Sequence, residues 1–271
     1  AEFDQNEIIE YLLNNKNCMV DIHKTYTFMN KSTNVEISGY NACHVAARFN
    51  SIHCFDLLIN AGVDTRARLG NGDTCAVIAG SRGHTVILQK LFDIGDNFNV
   101  RGNFGHTPLY RAALKNHPGT VLVLGRDFGA NANIPDEENV NIVQRCFGSC
   151  KFGVLSSLAN LGLRFDCISD PKLLEIENED KLTALMWASK FNYPKLVKTL
   201  LDSGVFINHT NKLNETAAHH AAAMGNLDCL KILYGYKANF ALANSANQTP
   251  KDKAIQQNRK NVIKWFNAIQ K

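Results

Sequence analysis

The feature that most constrains this chain is a sequence repeat that returns at a nearly fixed period between Gly39 and Asn247. Each copy has a turn, a pair of small residues and a leucine-rich stretch that ends at glycine, and a clear turn is GHTPLY at residues 105–110. Because a unit of roughly 33 residues is one supersecondary element, it buries its apolar face only against its neighbours. The sequence therefore predicts a solenoid of stacked repeats.

Two sequence markers keep the same register along the chain. The successive spacings of the turn position are 33, 33, 34, 42, 33 and 33, and those of the closing position are 33, 34, 33, 42 and 33. Agreement of two independent markers through the same interruptions indicates a true repeat. The turn positions are Gly39, Gly72, Gly105, Asn139, Lys181, Asn214 and Asn247, and the closing positions are Gly62, Gly95, Gly129, Gly162, Gly204 and Lys237.

The repeat resembles that of the ankyrin family, whose unit is a β-turn followed by two antiparallel helices with a Thr-Pro-Leu-His signature. Thr107 stands where its hydroxyl would cap the first helix, and Pro108 follows at the first helical position, where a missing N–H costs nothing. The small pair Ala112-Ala113 would let inner helices approach closely. The resemblance covers nearly the whole chain and implies an all-α, ankyrin-repeat solenoid of helix-turn-helix units with short β-hairpin fingers.

The resemblance places one ankyrin-repeat domain over residues 1–271. Residues 1–38 form a truncated N-terminal unit in this interpretation, with a lone outer helix at residues 8–13 and an irregular loop around Lys24 to Asn34. Nine extra residues between Gly162 and Lys181 predict an inserted finger over 166–180. The full repeats are predicted to start near residues 36, 69, 102, 136, 178, 211 and 244.

Two repeats depart from the pattern. In the third, Gly125 and Arg126 stand where two leucines belong, which predicts a short or irregular outer helix. In the fourth, residues 139–144 lack the turn signature and Cys146-Phe147 replaces the alanine pair, which predicts a distorted turn.

The eight cysteines favour burial over chemistry. Cys54 and Cys229 fall in the same slot of their outer helices, where a free cysteine behaves as a small hydrophobe. Cys146 and Cys150 are one helical turn apart, but no second pair at zinc spacing accompanies them, so we expect neither a metal nor a cofactor. Unpaired cysteines predict a reducing compartment, the cytoplasm or nucleus, and leave open delivery into a host cytosol. No apolar run is long enough to predict a membrane span.

Catalytic motifs are missing from the sequence. There is no phosphate-binding Gly-Lys-Ser/Thr loop, nucleophile elbow or metalloprotease helix motif. His44, Tyr110 and His219 occupy the family's histidine slot, and the resemblance implies that these rings bond to the turn backbone. We therefore predict that the chain is not an enzyme.

The resemblance also implies a partner-binding groove lined by inner helices and turn tips. Arginine and aromatic residues, which are enriched in interface hot spots, gather at those positions in the first three repeats. They predict a non-enzymatic protein-protein interaction scaffold or adaptor, whose partner protein or peptide supplies acidic and apolar anchors. The candidate partner-binding residues are Tyr40, Arg48, Phe49, Arg68, Arg82, Arg101, Phe104, His106 and Lys115.

Two alternative functions stay open at this stage, a nucleic-acid-binding module and an enzyme-targeting module of a longer protein. Residues 181–271 hold thirteen basic against four acidic residues, as a nucleic-acid-binding protein would. However, Lys195, Lys198, Lys231 and Lys264 fall on outer helices among apolar positions, a pattern typical of a solvated face. We therefore do not expect nucleic acid as the partner.

Overall fold

The structure is a computed structural model that describes residues 25–30, 35–163, 165 and 175–269. The chain divides into two compact units, Ala1–Ile142 and Val143–Lys271. The predicted outer helix at residues 8–13 and residues 166–174 of the finger predicted over 166–180 lie outside the described residues. The single domain and the repeat boundaries stay predictions.

The N-terminal unit contains one antiparallel hairpin followed by helix pairs. Its elements are β1 (Tyr26–Asn30), β2 (Val35–Tyr40), α1 (Ala42–Phe49), α2 (Ile52–Asn60), α3 (Cys75–Arg82), α4 (Thr85–Asp93), a short 3-10 turn (Asn103–Gly105), α5 (Pro108–Leu114), α6 (Pro118–Leu122) and a π-helical turn (Val123–Asp127). The irregular loop predicted around Lys24 to Asn34 is wrong for residues 26–30, which pair with β2 as a strand. Their sequence, YTFMN, is rich in aromatic residues that favour strands.

The remaining helices follow the same alternation of inner and outer members. They are α7 (Ile142–Gly148), α8 (Phe152–Asn160), α9 (Ala184–Lys190), α10 (Pro194–Asp202), α11 (Ala217–Met224), α12 (Leu227–Gly235), α13 (Pro250–Gln256) and α14 (Lys260–Ile269). Apart from the hairpin, every regular element in the described ranges is helical, so the predicted all-α solenoid class is confirmed. None of the described helices combines the length and apolarity that a membrane crossing requires.

Left-handed backbone recurs at three fixed slots in the described part of the repeats. Positive φ occurs at the turn position and at the closing position, and a third slot ends each inner helix. Among the described residues, Phe104 is the one residue with positive φ outside these slots. The third slot holds Asn50, Gly83, Asn116, Cys150, Asn192, Gly225 and Asn258.

Inner helices approach each other closely because they present very small residues. Ala79, Ala112 and Ala113 are fully buried, and Gly80 lies against Pro108 at the start of α5. A Cβ atom on Gly80 would stand 2.5 Å from the Pro108 carbonyl oxygen. This contact fixes how near α3 and α5 can lie.

The outer helix of the third repeat is irregular, as the sequence predicts. Helix α6 ends at Leu122, and the chain continues as the π-helical turn Val123–Asp127, which contains Gly125 and Arg126. Neither residue provides a leucine side chain for the core, so the regular helix is not maintained. The prediction of a short or irregular helix is therefore confirmed.

In three repeats the residue of the histidine slot bonds to the turn of the following repeat, which confirms the structural role predicted for His44, Tyr110 and His219. Nε2 of His44 lies 3.0 Å from the Ala67 carbonyl oxygen, and Nε2 of His219 lies 3.0 Å from the Gln248 carbonyl oxygen. In the third repeat the Tyr110 hydroxyl donates to buried Asp136 at 2.7 Å. Each of these bonds connects a side chain of an inner helix to a group about one repeat further along the chain.

A second set of ties, which the sequence analysis missed, precedes the outer helices. Nδ1 of His84 lies 2.9 Å from the carbonyl oxygen of Ala47, near the end of the inner helix in the repeat before. The side chains of His117, Asn226 and Arg259 also bond to a carbonyl oxygen near the end of the inner helix in the repeat before. Otherwise unpaired carbonyl groups at helix ends are thereby satisfied.

A buried carboxylate links the last two repeats. Oε1 of Glu215 accepts from Lys253 at 2.8 Å and from Asn244 at 3.3 Å, while Oε2 lies 3.8 Å from Nε2 of His220. The pKa of His220 is lowered to about 4, chiefly by burial and also by the positive charges of Lys190, His219 and Lys253, which together outweigh the attraction of Glu215. Burial also lowers the pKa of His219.

We expect the substitution Gly80→Ala to destabilise the chain by roughly 1–3 kcal/mol, because a methyl group would collide with rigid backbone. The matched control is Gly119→Ala in α6, whose Cβ would meet nothing within 4 Å. That change should be neutral or slightly stabilising. Urea denaturation of both variants provides the measurement, and equal effects would show that the α3–α5 contact is not limiting.

Stability should fall as the solution is acidified from pH 6.5 towards pH 4.5. The unfolded chain binds protons at its histidines in this range, whereas burial lowers the pKa of His220, His44 and His219 in the folded chain, which therefore binds fewer protons. Over this range His220 alone should lower the free energy of unfolding by about 2 kcal/mol. Thermal denaturation of the wild type and His220→Gln across this range tests the effect, since the variant should show a shallower slope. Identical slopes would contradict the prediction.

Candidate binding site in the N-terminal unit

One row of exposed side chains crosses the three inner helices of the N-terminal unit. Phe49, Arg82 and Lys115 each stand eight residues after a helix N-cap, so they occupy the same position in three successive repeats. All three are exposed, and Phe49 has 67% of its surface accessible. Because equivalent positions of stacked helices lie side by side, these residues form a row of one aromatic ring and two cations.

A second row lies one helical turn earlier on the same helix face. It consists of Val45, Ile78 and Arg111, since residues four apart are neighbours on a helix surface. Val45 is exposed, whereas Ile78 is buried. Nη2 of Arg111 lies 3.8 Å from Oδ2 of Asp73, so a basic and an acidic residue meet on this surface.

Three of the predicted residues gather at the first inner helix. Nη1 of Arg48 donates to the Tyr40 hydroxyl at 3.2 Å, and the Arg48 guanidinium lies 6.0 Å from the Phe49 ring centroid. Tyr40 is only 8% exposed and packs edge-on against His44. Tyr40 therefore supports Arg48 and offers little surface of its own.

Arg68 and Arg101 are exposed, but backbone carbonyl groups hold both guanidinium groups. Nη1 of Arg68 donates to the carbonyl oxygens of Gly72 and Arg101, at 3.1 Å and 2.9 Å. Nε of Arg101 donates to the Gly105 carbonyl oxygen at 3.2 Å. Arg68 thus joins two successive turns, whereas Arg101 braces its own turn, and both keep positive charge at the turn tips.

The turn of the third repeat takes its capping oxygen from the repeat before it. Later turns begin with Asp136, Asn211 or Asn244, whose side-chain oxygen accepts backbone N–H groups within the same turn. Here the equivalent residue is Gly102, and Oδ1 of Asp73 accepts from the Asn103 N–H at 2.8 Å. A Cβ atom on residue 102 would collide with that same oxygen, so a larger residue here would displace the Asp73 carboxylate from the turn.

This turn displays Phe104 in a left-handed conformation with φ 57° and ψ 22°. The peptide is held on both sides, because the Asn103 N–H bonds to Asp73 and the Phe104 carbonyl accepts from the Glu137 N–H at 3.1 Å. Phe104 is 59% exposed, and its ring centroid lies 5.9 Å from that of His106. A bulky residue with positive φ stores strain that the surrounding structure must enforce.

His106 lies beneath this aromatic residue. Its ring stacks on Tyr110 with centroids 4.6 Å apart and an interplanar angle of 10°, and it is 8% exposed. His106 therefore belongs to the support of Phe104. Of the nine predicted residues, the exposed apolar surface comes from Phe49 and Phe104, and the exposed cations are Arg68, Arg82, Arg101 and Lys115.

Sequence reasoning missed Arg111 as part of this surface. Its side chain is 16% exposed, and its Nε is buried without a hydrogen bond to any residue in the described ranges. The signal was available, because Arg111 stands four residues after the N-cap Thr107 on the same face as Lys115.

The six cysteines that the structure describes are packing residues. Cys43, Cys54, Cys75, Cys146 and Cys229 are buried free thiols, and Cys150 is half-buried. Burial raises the pKa of Cys146 to about 12, which keeps the thiol protonated. Within residues 25–30, 35–163, 165 and 175–269, no three His, Cys, Asp or Glu side chains cluster as a metal site would need.

Comparison with known proteins assigns the family. The family described as ankyrin repeats (3 copies) matches residues 43–136 and 185–268, so this chain belongs to the ankyrin repeat family. Ankyrin repeats generally serve as protein-protein interaction modules and are typically non-enzymatic.

Individual relatives match parts of the chain. An ankyrin repeat protein of fowlpox virus, FPV031, is 39% identical over 98 residues, which cover 36% of this chain and 29% of the viral protein. Human rabankyrin-5 is 28% identical over 185 residues, which cover 66% of this chain and 15% of rabankyrin-5. The crystal structure of the human ASB11 ankyrin repeat domain superposes with a TM-score of 0.44 at 24% identity, covering 79% of this chain and 92% of that domain. The chain therefore spans less than a third of the fowlpox protein and of rabankyrin-5.

We expect Phe104→Asn and Phe104→Gly to raise the free energy of unfolding by about 1 kcal/mol or less, because both residues tolerate left-handed backbone. Phe49→Asn is the matched control, since Phe49 is equally exposed but ends an ordinary helix. That change should be neutral or slightly destabilising. Urea denaturation gives the values, and a loss of stability in both Phe104 variants would show that the turn stores no strain.

Proposed function

We propose that this chain is a non-enzymatic scaffold that binds an extended acidic segment of a partner protein on the N-terminal unit. The segment would place apolar side chains on Phe49 and Phe104 and carboxylates opposite the cations between them. The observation that carries the proposal is the strained, exposed Phe104. Strain of this kind costs stability and clusters at functional sites.

The charge of the surface supports an acidic partner. The side chains of Arg82 and Lys115 are exposed and form no hydrogen bond or ion pair with another residue of the part of the chain that the structure describes. The nearby carboxylate of Asp73 is occupied by Asn103, Asn71 and Arg111. Charge complementarity of this type steers encounter and selects the partner.

The separation of the two aromatic anchors indicates an extended segment. Phe104 precedes α5 and Phe49 ends α1, so they are two repeats apart and lie at opposite ends of their inner helices. Two repeats span about 16–20 Å, and the eight residues of α1 span about 12 Å. The anchors are then roughly 20–23 Å apart, a distance that about seven residues of extended chain would cover.

The two kinds of contact should affect binding differently. Exposed arginine and lysine side chains mainly change the association rate and its salt dependence. Aromatic anchors that lose contact with water on binding mainly change the dissociation rate. The same surface would serve if these repeats form the targeting module of an enzyme, because the partner contact would be unchanged.

The proposal is tested by selecting binders from a library of random 12-residue peptides with the intact chain. We expect the selected peptides to combine acidic residues with two apolar residues. Phe49→Ala and Phe104→Ala should each weaken such a peptide by roughly 1–3 kcal/mol, the range of central anchors. Arg82→Glu and Lys115→Glu should mainly lower the association rate.

Two variants of the outer face serve as matched controls. Val86→Ala removes an exposed apolar side chain from α4, and Arg126→Glu reverses an exposed charge in the π-helical turn. Neither should change peptide affinity. If these controls abolish binding while the Phe49 and Phe104 variants bind normally, the proposed surface is wrong.

A further inference from the structure

Three lysines occupy the same slot on three successive outer helices of the C-terminal unit. Lys198 lies on α10, Lys231 on α12 and Lys264 on α14, and each stands one full repeat after the one before it. All three side chains are exposed. We call this set the lysine ridge.

The positive charge of the ridge is not neutralised internally. None of its three ammonium groups forms a hydrogen bond or ion pair with any residue that the structure describes. Most acidic side chains among residues 181–269 already bond to groups other than these lysines. Glu215 pairs with Lys253, and Asp252 caps α13.

Asp202, another of these acids, accepts from the Tyr236 hydroxyl. Asp228 in the first turn of α12 is the remaining carboxylate among residues 181–269. The outer face therefore carries an excess of unpaired positive charge.

Apolar surface accompanies the ridge. Tyr234, one turn after Lys231, is 50% exposed and meets the Trp265 ring edge-on at 5.8 Å, beside Lys264. On the other side, Lys198 and Ile232 line a groove of about 550 Å³. A ligand on the ridge would thus contact aromatic and aliphatic groups as well as ammonium groups.

The spacing of the ridge decides which polyanion fits it. Packed helices lie about 8–10 Å apart, so the lysines recur at about that distance. An α-helix rises about 1.5 Å per residue, so acidic residues seven positions apart are about 10.5 Å apart along one face. Duplex DNA carries a phosphate about every 3.4 Å along each strand, which is roughly three times denser.

We propose that the lysine ridge binds an amphipathic helix of a partner protein that carries an acidic residue at every seventh position. This helix lies across α10, α12 and α14, with a carboxylate opposite each of the three lysines. Its apolar side chains rest on Tyr234 and Trp265. The ridge is separate from the aromatic surface of the N-terminal unit and does not depend on the function proposed for that surface.

The test uses a fluorescent helical peptide of about 21 residues with Glu at every seventh position and Leu beside it. A second peptide of the same composition has the Glu residues moved off that spacing. Fluorescence anisotropy with the full chain should show at least about tenfold tighter binding of the first peptide, because only that one meets all three lysines.

A triple charge reversal, Lys198→Glu with Lys231→Glu and Lys264→Glu, should remove the preference between the two peptides. The matched control reverses three exposed lysines in turns, Lys181, Lys212 and Lys237, and thus changes the net charge equally. The control should keep the preference, and so should Phe49→Ala and Phe104→Ala.

Circular dichroism confirms that each variant is folded, and the triple change to Gln provides a milder form of the same test. Equal binding of both peptides, or equal loss in the ridge and control triples, would overturn the proposal. Ridge-dependent binding of a 21-base-pair DNA duplex without peptide binding would also overturn it, in favour of nucleic acid.

Discussion

The structure depends on left-handed backbone at three recurring positions of the repeats, as far as the described residues extend. A helix pair can stack on the next pair only if the chain reverses at the turn, between the two helices and after the second helix. Asparagine and glycine dominate these positions because they adopt positive φ at low cost. Once the reversals are fixed, small residues such as Ala112 and Gly80 decide how close the inner helices lie.

Much of the fold could be predicted from the sequence because its causes are local and periodic. The helix N-caps, the closing glycines and the irregular end of α6 each follow from residues at the position itself. The strand at residues 26–30 was missed because it lies before the first repeat, although the strand it pairs with, Val35–Tyr40, opens that repeat. Its own short sequence gave no periodic signal.

The candidate site was harder to predict, because the contacts that orient its side chains come from residues about one repeat away in the sequence. The sequence supplies the charge of Arg68 and Arg101, but not that backbone carbonyl groups hold both guanidinium groups. Likewise, nothing near Phe104 indicates positive φ, because the oxygen that holds this turn belongs to Asp73. The sequence indicates which residues can form such a surface, but the orientation of these residues depends on contacts between repeats.

Asp73 supplies the oxygen that caps the turn of the next repeat. This dependence limits which repeats of the chain can be duplicated or exchanged one at a time. Turns that begin with Asn211 or Asn244 carry their own capping oxygen, so a copied repeat would bring a complete turn with it. The turn at Gly102 is complete only behind a repeat that supplies a carboxylate at the right place. The second and third repeats therefore depend on each other, and a recombination point between them would separate Phe104 from the group that sets its conformation.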